Sequence, residues 1–186
     1  MPTKMIQKNE ITLYLCRGGG EIREDSSRLM YMCLQHHFGF LPAIQREAKG
    51  KPVFVSPEHG AFSVSHSRDL FVLAVGRCEA LGVDVEVPVE GKDHTRLMKK
   101  YFSSEEREHC KENTGGFYRI WTAKEACCKL IGEGMGALNR IVLSWDPLCA
   151  KMAGYGTMYV YDLSQEIGVP CALATTNEGT WKIKYL

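Results

Sequence analysis

The pattern of apolar and polar residues predicts a strand and then a helix in the first third of the chain. Residues 11–15 alternate apolar and polar side chains, which is typical of a half-buried strand. A helix is predicted from Asp25 or Ser26 onward. Its apolar residues recur three and four positions apart, at Leu29, Met30, Cys33, Leu34 and Phe38.

Three further strands are predicted before residue 90. Two apolar runs, 62–64 and 70–75, flank the polar residues 65–69, so a hairpin is expected with residues 65–69 as its connection. Residues 81–87 alternate aliphatic residues with acids and predict another strand.

The second half of the chain has helical periodicity followed by short strands. Ser103 and Glu106 form a capping box, which marks the start of one helix. A second helix is predicted after Gly115 and Gly116, ending at the glycines of residues 132–136. Strands are then expected at residues 141–143, 158–161, 171–174 and 181–185.

The order of these elements predicts an α+β fold of two similar lobes, a pseudo-dimer in which each lobe packs a helix on a small, mostly antiparallel sheet. The expected boundaries are residues 1–79 for the first lobe and 80–186 for the second. The candidate metal-binding residues lie in the second lobe.

Composition narrows the function classes. The chain has 186 residues, 23 Lys and Arg against 22 Asp and Glu, and a formal net charge of +1, which argues against a strongly basic nucleic-acid binder. No stretch approaches the ~18 apolar residues of a membrane span, and the first ten residues lack the apolar core of a signal peptide. The eight cysteines contain no C-x-x-C pair and are expected to be reduced thiols, mostly in the core. A cytoplasmic protein without membrane contact is therefore expected.

Two groups of residues offer metal chemistry. Asp84 and Glu86 lie two residues apart and project from the same face of the predicted strand, either as solvated acids or as ligands of a hard cation such as Mg²⁺. On the predicted helix, Phe117, Trp121, Glu125 and Lys129 form an i, i+4 row. In one interpretation, Glu125 and Lys129 form an ordinary ion pair on the helix. In the other, Glu125 is a third metal ligand or a general base, and the ammonium of Lys129 binds a phosphate.

Two loop-like segments suit ligand binding. The predicted hairpin connection offers the hydroxyls of Ser65 and Ser67 and the imidazole of His66. Residues 50–52 (Gly-Lys-Pro) form a rigid turn that carries an ammonium. Each feature is also common in proteins without a binding site there, so each is weak by itself.

Taken in order, the motifs of residues 48–145 resemble those of the 4′-phosphopantetheinyl transferase superfamily. They are G-K-P (50–52), S-H-S (65–67), G-V-D-V-E (82–86), Y-F-S-x-E-E (101–106) and W-T-x-K-E-A (121–126), with a lysine at 129. The third and fifth are the specific ones. The spacing is more similar to the pseudo-dimeric members, which activate nonribosomal peptide and polyketide synthases, than to the short homotrimeric type.

The resemblance implies a holo-[acyl-carrier-protein] synthase, which moves the phosphopantetheine arm of coenzyme A to a serine of an acyl- or peptidyl-carrier protein. Asp84, Glu86 and Glu125 match the Mg²⁺ ligands, and Lys129 matches a lysine beside the coenzyme A pyrophosphate. Glu125 is the candidate for taking the serine proton, and His66 and Lys129 are the candidates for stabilising charge on the phosphates. The other product would be adenosine 3′,5′-bisphosphate.

Further residues are implied for coenzyme A. Gly50, Lys51 and Pro52 match the adenine-side loop, and Ser65 and His66 match phosphate contacts. Many relatives are longer and use a basic amino-terminal stretch for the 3′-phosphate. Here the first 50 residues offer dispersed cations, with Arg28 as the best candidate among Lys4, Lys8, Arg17, Arg23, Arg28, Arg46 and Lys49.

The expected partners are coenzyme A and a carrier protein, with the enzyme acting as a monomer. Lys92, Arg96, Lys99 and Lys100 form a basic run that is either a solvated connector or a docking surface for an acidic carrier. Two other functions use the same residues. They are a Mg²⁺-dependent phosphodiesterase or nuclease, which the near-zero net charge disfavours, and a non-catalytic coenzyme A or carrier-binding protein, which the intact acid set disfavours.

Overall fold

The structure is a computed structural model that describes residues 9–18, 22, 25–112 and 115–186. Within these residues the fold is α+β, as predicted. In chain order the elements are β1 (Asn9–Arg17), α1 (Ser26–Phe38), β2 (Ile44–Arg46), β3 (Pro52–Phe54), β4 (Ala61–Ser67), β5 (Leu70–Gly76), β6 (Leu81–Val85), α2 (Thr95–Tyr101), α3 (Ser104–Glu112), α4 (Gly116–Ile131), β7 (Val142–Trp145), β8 (Leu148–Met152), β9 (Gly156–Asp162), α5 (Ser164–Ile167), β10 (Cys171–Thr175) and β11 (Gly179–Tyr185).

The strands form two main sheets with long helices on their outer faces. The first sheet has the order β11-β1-β5-β4 and the second the order β6-β10-β9-β8-β7, while β2 and β3 pair separately. Helix α1 buries Met30, Cys33 and Leu34 against one face of the first sheet. Helix α4 packs on the second sheet, and a third apolar cluster joins the two sheets between the helices. The layers are therefore helix, sheet, sheet and helix.

The boundary predicted between residues 79 and 80 does not separate two self-contained sheets. Strand β11, from the carboxyl-terminal part of the chain, pairs in parallel with β1, with Ile11 opposite Trp181. Trp181 and Ile183 then pack against the cluster between the sheets. Burial of these side chains stabilises β11 in the first sheet, so the two halves of the sequence share one structural unit.

The hairpin predicted over residues 62–75 is confirmed, but its connection is shorter than predicted. Strand β4 continues through Ser65 and His66 to Ser67, which lies opposite Leu70. The turn consists of Arg68 and Asp69, and Arg68 has a positive φ of 52°. The polar run 65–67 lies in a strand because its serine hydroxyls bond to the backbone of β6, as described below.

The capping box at the start of α3 is confirmed. The Ser103 amide donates to Glu106 Oε2 at 2.8 Å, and the Glu106 amide donates to Ser103 Oγ at 3.1 Å. The Glu106 carboxylate also accepts hydrogen bonds from Lys124 Nζ at 2.7 Å and from the Leu143 amide at 3.0 Å. This one carboxylate therefore joins α3, α4 and the start of β7, and the sequence analysis did not predict its second role.

Helix α4 lies directly against β6 because residue 82 is glycine. A Cβ at Gly82 would be 2.0 Å from the Ala126 carbonyl oxygen and 2.5 Å from the Leu130 amide nitrogen. Both atoms belong to the backbone of α4, so they cannot move aside as a flexible side chain would. The glycine of the G-V-D-V-E motif thus permits the contact that brings α4 to β6.

We expect Gly82→Ala to force α4 away from β6 and to lower the free energy of unfolding by about 1–3 kcal/mol. Urea unfolding followed by tryptophan fluorescence measures the loss. Gly136→Ala is the matched control, because a Cβ at Gly136 meets no atom within 4 Å. Equal losses in the two variants would contradict the close contact as the reason for the glycine.

The eight cysteines all lie within the described residues and are free thiols, six of them buried. This confirms the prediction of reduced, mostly core cysteines. Among the helices of the described ranges, none is long and apolar enough to cross a membrane.

Candidate functional site

Most of the predicted site residues meet in one cleft between α1, β4, β6 and α4. The cleft has a volume of about 390 Å³. Its lining includes seven of the predicted site residues, namely Pro52, Ser65, His66, Asp84, Glu86, Glu125 and Lys129. Residues far apart in sequence thus form one polar site where the edges of the two sheets meet.

Asp84 lies at the base of this site and is 6% exposed. Its Oδ1 accepts a hydrogen bond from Ser65 Oγ at 2.8 Å and another from Lys129 Nζ at 2.8 Å. Val83 and Val85, its neighbours in β6, are buried between the sheets, as the alternation predicted. The backbone of β6 therefore directs Asp84 toward α4 and the cleft.

Lys129 connects the two sheets at the site. Besides Asp84, its Nζ donates to the carbonyl oxygen of Val64 in β4 at 3.1 Å and to that of Val83 in β6 at 3.0 Å. A pair between Glu125 and Lys129 is not among the ion pairs of the described residues, because the ammonium reaches Asp84 instead. The simple helix pair that the i, i+4 spacing allowed is therefore not formed.

The site holds more negative than positive charge. Burial, and then the charge of Asp84, raises the pKa of Glu125 to about 7, while Lys129 opposes the rise. Burial and the charge of Asp84 also raise the pKa of Glu86, which Ser67, Lys129 and Lys92 partly offset. The cleft thus holds three carboxylates against two cationic side chains, Lys129 and Arg46, and the carboxylates that raise one another's pKa favour binding of a further cation.

The donor set fits a hard divalent cation such as Mg²⁺. All three candidate ligands are carboxylates, and Asp84 Oδ2 is buried without a hydrogen-bond partner among the described residues. As the side chains stand in the described ranges, no group of three or more His, Cys, Asp and Glu residues has a metal-binding arrangement. Rotation of one or more carboxylates would therefore be needed for all three to reach one ion.

Three serines of β4 bind the edge of β6. Ser63, Ser65 and Ser67 recur at every second residue, so their side chains point the same way. Their hydroxyls accept hydrogen bonds from the amides of Val83, Val85 and Val87 at 3.1, 3.3 and 2.9 Å, respectively. We call this set the serine ladder. It satisfies amides that would otherwise lie unpaired at the edge of the second sheet.

The same strand holds the imidazole of the site. His66 lies between two ladder serines, is exposed, and lines the cleft. It is therefore available from the cleft side, although it belongs to a strand and not to the predicted loop.

The Gly-Lys-Pro turn lies beside the cleft and is bound to the end of α4. Lys51 Nζ donates to the Leu130 carbonyl at 3.2 Å, and Lys49 Nζ donates to the Glu133 carbonyl at 3.1 Å. Pro52 lines the cleft itself. Gly50 and Lys51 instead line an adjoining cavity of about 220 Å³, which shares Pro52, Val64 and Lys129 with the cleft.

The structure favours Arg46 over Arg28 as the arginine that could bind an anionic ligand. Arg28 is exposed on α1 and is not among the residues that line the cleft. Arg46 of β2 does line it, and its guanidinium donates to the Gly50 carbonyl at 2.8 Å. Lys4, Lys8 and Arg23 lie outside the described residues. Ser26 and Ser27, in the first turn of α1, also line the cleft and were not predicted.

The basic run lies on the surface of α2 and the loop before it. Lys92, Arg96, Lys99 and Lys100 are all exposed. Lys92 is close enough to lower the pKa of Glu86, so the run begins near the cleft. Phe102, which follows the run, is 4% exposed and belongs to the core under α4.

A second cavity, on the other side of α4, has a different character. It has a volume of about 380 Å³ and is lined by apolar residues that include Ile120, Trp145 and Leu148. Arg119 and Asp162 on its wall pair with each other. The clustered carboxylates belong to the first cleft, which is therefore the candidate functional site.

Part of the chain is similar to proteins of known family. Residues 80–158 match the family model described as the 4′-phosphopantetheinyl transferase superfamily. The chain is 29% identical to the 4′-phosphopantetheinyl transferase HetI of a Nostoc species over 148 residues, which are 75% of this chain and 62% of HetI. It is 34% identical to the 4′-phosphopantetheinyl transferase AcpT of Salmonella typhimurium over 98 residues, half of each chain. A 4′-phosphopantetheinyl transferase of Bacillus subtilis is 31% identical over 91 residues, 46% of this chain and 39% of that protein.

The chain thus spans less than two thirds of the length of each of these relatives. The region that matches the family model contains four of the five charged residues that line the cleft, namely Asp84, Glu86, Glu125 and Lys129, and not Arg46. In sequence, residues 80–158 are similar to the 4′-phosphopantetheinyl transferase superfamily.

Proposed function

We propose that this protein transfers the 4′-phosphopantetheine moiety of coenzyme A to a serine of an acyl- or peptidyl-carrier protein and releases adenosine 3′,5′-bisphosphate. The observation that carries the proposal is the cleft in which Asp84, Glu86, Glu125 and Lys129 meet, because the same residues lie in the region that matches the superfamily. The relatives named above supply the reaction class.

Asp84, Glu86 and Glu125 would hold Mg²⁺. When bound, the ion would neutralise charge on the pyrophosphate and on the leaving oxygen. Glu125 is proposed to accept the proton of the carrier serine as its oxygen attacks phosphorus, because its carboxylate lines the cleft beside Asp84, Glu86 and Lys129. Lys129 and Ser65 both donate to Asp84 Oδ1, which fixes this carboxylate at the base of the cleft.

Coenzyme A is proposed to extend from the cleft into the adjoining cavity. The phosphates would contact His66 and Arg46 in the cleft, and the adenine would lie along residues 50–52. Lys129 lies at the junction of the two spaces and would approach the pyrophosphate. Arg46 replaces Arg28 as our candidate for the 3′-phosphate, because it lines the cleft and is joined to the Gly50 turn.

We also infer that the protein is of the pseudo-dimeric type that activates nonribosomal peptide and polyketide synthases, and that it acts as a monomer. One chain supplies both sheets, each with a long helix, and both sides of the serine ladder. The cleft is thereby lined from both halves without a second copy. A cytoplasmic location stays a prediction.

The test is mass spectrometry of an apo carrier protein incubated with this protein, coenzyme A and Mg²⁺. A mass gain equal to the phosphopantetheine arm supports the proposal. Coenzyme A binding without any mass gain would favour a non-catalytic binding protein. Hydrolysis of a phosphodiester without a mass gain would favour the phosphodiesterase.

The basic run on α2 gives a separate prediction about the partner. We expect the double variant Arg96→Glu and Lys99→Glu to slow transfer to an acidic carrier on the order of 10-fold at low salt, because charge reversal removes electrostatic attraction. Initial rates measured against carrier concentration and salt check this. Lys151→Glu, at an exposed position of β8, is the control. An equal effect of the control would assign the loss to net charge and not to a docking surface.

A further inference from the structure

The three hydroxyls of the serine ladder differ in the hydrogen bonds that they donate. Ser63 and Ser65 each accept one backbone amide of β6, and Ser67 accepts that of Val87, two residues beyond β6. Ser65 Oγ also donates to Asp84 Oδ1 at 2.8 Å, and Ser67 Oγ donates to Glu86 Oε2 at 3.1 Å. For Ser63 the described bond is the one accepted from the Val83 amide. All three serines therefore bind a backbone amide, and two of them, Ser65 and Ser67, also bind a carboxylate.

The carboxylate of Glu86 needs orientation more than that of Asp84 does. Asp84 is 6% exposed and is held by Lys129 as well as Ser65. Glu86 is half-buried, follows the last residue of β6, and has a longer side chain with more rotamers. The described hydrogen bond to its carboxylate comes from Ser67.

The Ser67 hydroxyl is itself fixed before it reaches Glu86. Its oxygen accepts the Val87 amide at 2.9 Å, so its proton is directed away from that amide and toward the carboxylate. Val87 packs against the cluster between the sheets, which holds the amide in place. The direction of the Ser67 donor is therefore set by the backbone of the second sheet.

We propose that Ser67 is a positioning residue that orients the Glu86 carboxylate toward the divalent cation held with Asp84 and Glu125. The proposal rests on the cation site of the proposed function, and it assigns Ser67 a role through Glu86 and not a contact with substrate. Hydrogen bonds of this kind to a ligating carboxylate contribute to metal affinity because they reduce the reorganisation that binding requires.

The test uses Mn²⁺ as the probe and isothermal titration calorimetry of the intact protein as the readout. Ser67→Ala is expected to weaken Mn²⁺ binding roughly 10-fold. Ser67→Thr keeps a hydroxyl at the position and is expected to restore the affinity. Ser63→Ala is the matched control, because it removes an equivalent bond to a β6 amide without touching a carboxylate, and its Mn²⁺ affinity should equal that of the wild type.

A double-variant comparison separates positioning from loss of structure. In a Glu86→Gln background, adding Ser67→Ala should cause no further loss of Mn²⁺ affinity, because the carboxylate that Ser67 orients is already gone. Thermal unfolding of every variant without Mn²⁺ verifies folding, and if Ser63→Ala does not fold, the threonine variant and the double variant carry the test.

The outcomes distinguish this proposal from the proposed function. Mn²⁺ binding by the wild type together with unchanged binding by Ser67→Ala overturns the positioning role and leaves the function intact. Equal losses in Ser67→Ala and Ser63→Ala also overturn it, since the cause would then be the backbone contact. Absence of Mn²⁺ binding by the wild type overturns the cation site of the proposed function, and this proposal with it.

Discussion

Replacement of Glu125 by glutamine is expected to reduce phosphopantetheine transfer at least roughly 100-fold, which is the usual lower range for loss of a general base. The variant removes a candidate metal ligand and the candidate base in one isosteric change. Glu125 lies within α4 on the cleft side, and glutamine has a high helix propensity, so α4 should keep its position. Initial rates of carrier modification measure the effect.

Two controls accompany this test: the thermal stability of Glu125→Gln and the activity of a matched variant, Glu105→Gln. In the absence of metal, the thermal unfolding temperature of Glu125→Gln should equal or exceed that of the wild type, because one of three neighbouring negative charges is lost. Glu105→Gln, at an exposed position of α3, should transfer at the wild-type rate. A Glu125→Gln variant with full activity would refute the base role of this residue and any need for its negative charge at the metal.

The site was largely predictable because its main parts depend on local periodicity. Asp84 and Glu86 share a face of β6 as a result of strand alternation, and helical spacing places Glu125 and Lys129 on one side of α4. The resemblance of the ordered motifs to the superfamily is what predicted that the two pairs belong to one site. The structure adds the reason for the glycine of the G-V-D-V-E motif, since Gly82 is needed for α4 to contact β6.

The parts that were not predicted depend on contacts between distant segments. Strand β11 joins β1 across nearly the whole chain, so a boundary drawn from sequence order missed it. Lys129 pairs with Asp84, 45 residues away, and not with its helix neighbour Glu125. Neither partner is visible in the local sequence pattern, so the i, i+4 spacing left the Glu125–Lys129 pair open as one of two alternatives.

Polar residues within strands misled the sequence analysis in a similar way. Ser65 and Ser67 indicated a loop because hydroxyl-bearing residues are common in turns. In the structure they occupy β4, where the amide edge of β6 gives them partners.

Strand β8 was not predicted at all. Its burial depends on β7 and β9, with which it pairs on both sides.

The buried ion pair between Lys124 and Glu106 leads to the prediction with the largest expected effect on stability. Their side chains are 1% and 0% exposed. Burial lowers the pKa of Lys124, and the Glu106 carboxylate opposes this shift. Lys124 directly precedes Glu125 in α4, and Glu106 holds α3 and β7 as well, so the pair fixes the helix that carries the candidate base.

We expect Lys124→Met to lower the free energy of unfolding by about 3–5 kcal/mol, because it leaves the Glu106 carboxylate buried without a counterion. For a chain of this size that corresponds to a fall of roughly 10 °C in the unfolding temperature, measurable by calorimetry.

Lys111→Met is the control, since it removes an ion pair whose side chains are both 67% exposed and should cost about 0–1 kcal/mol. Adding Glu106→Gln to Lys124→Met should recover part of the loss, because a buried amide costs less than a buried charge. Equal effects of Lys124→Met and Lys111→Met would show that the buried pair does not hold α4, and the position of Glu125 would then depend on the apolar packing of α4 against the second sheet and on the contact at Gly82.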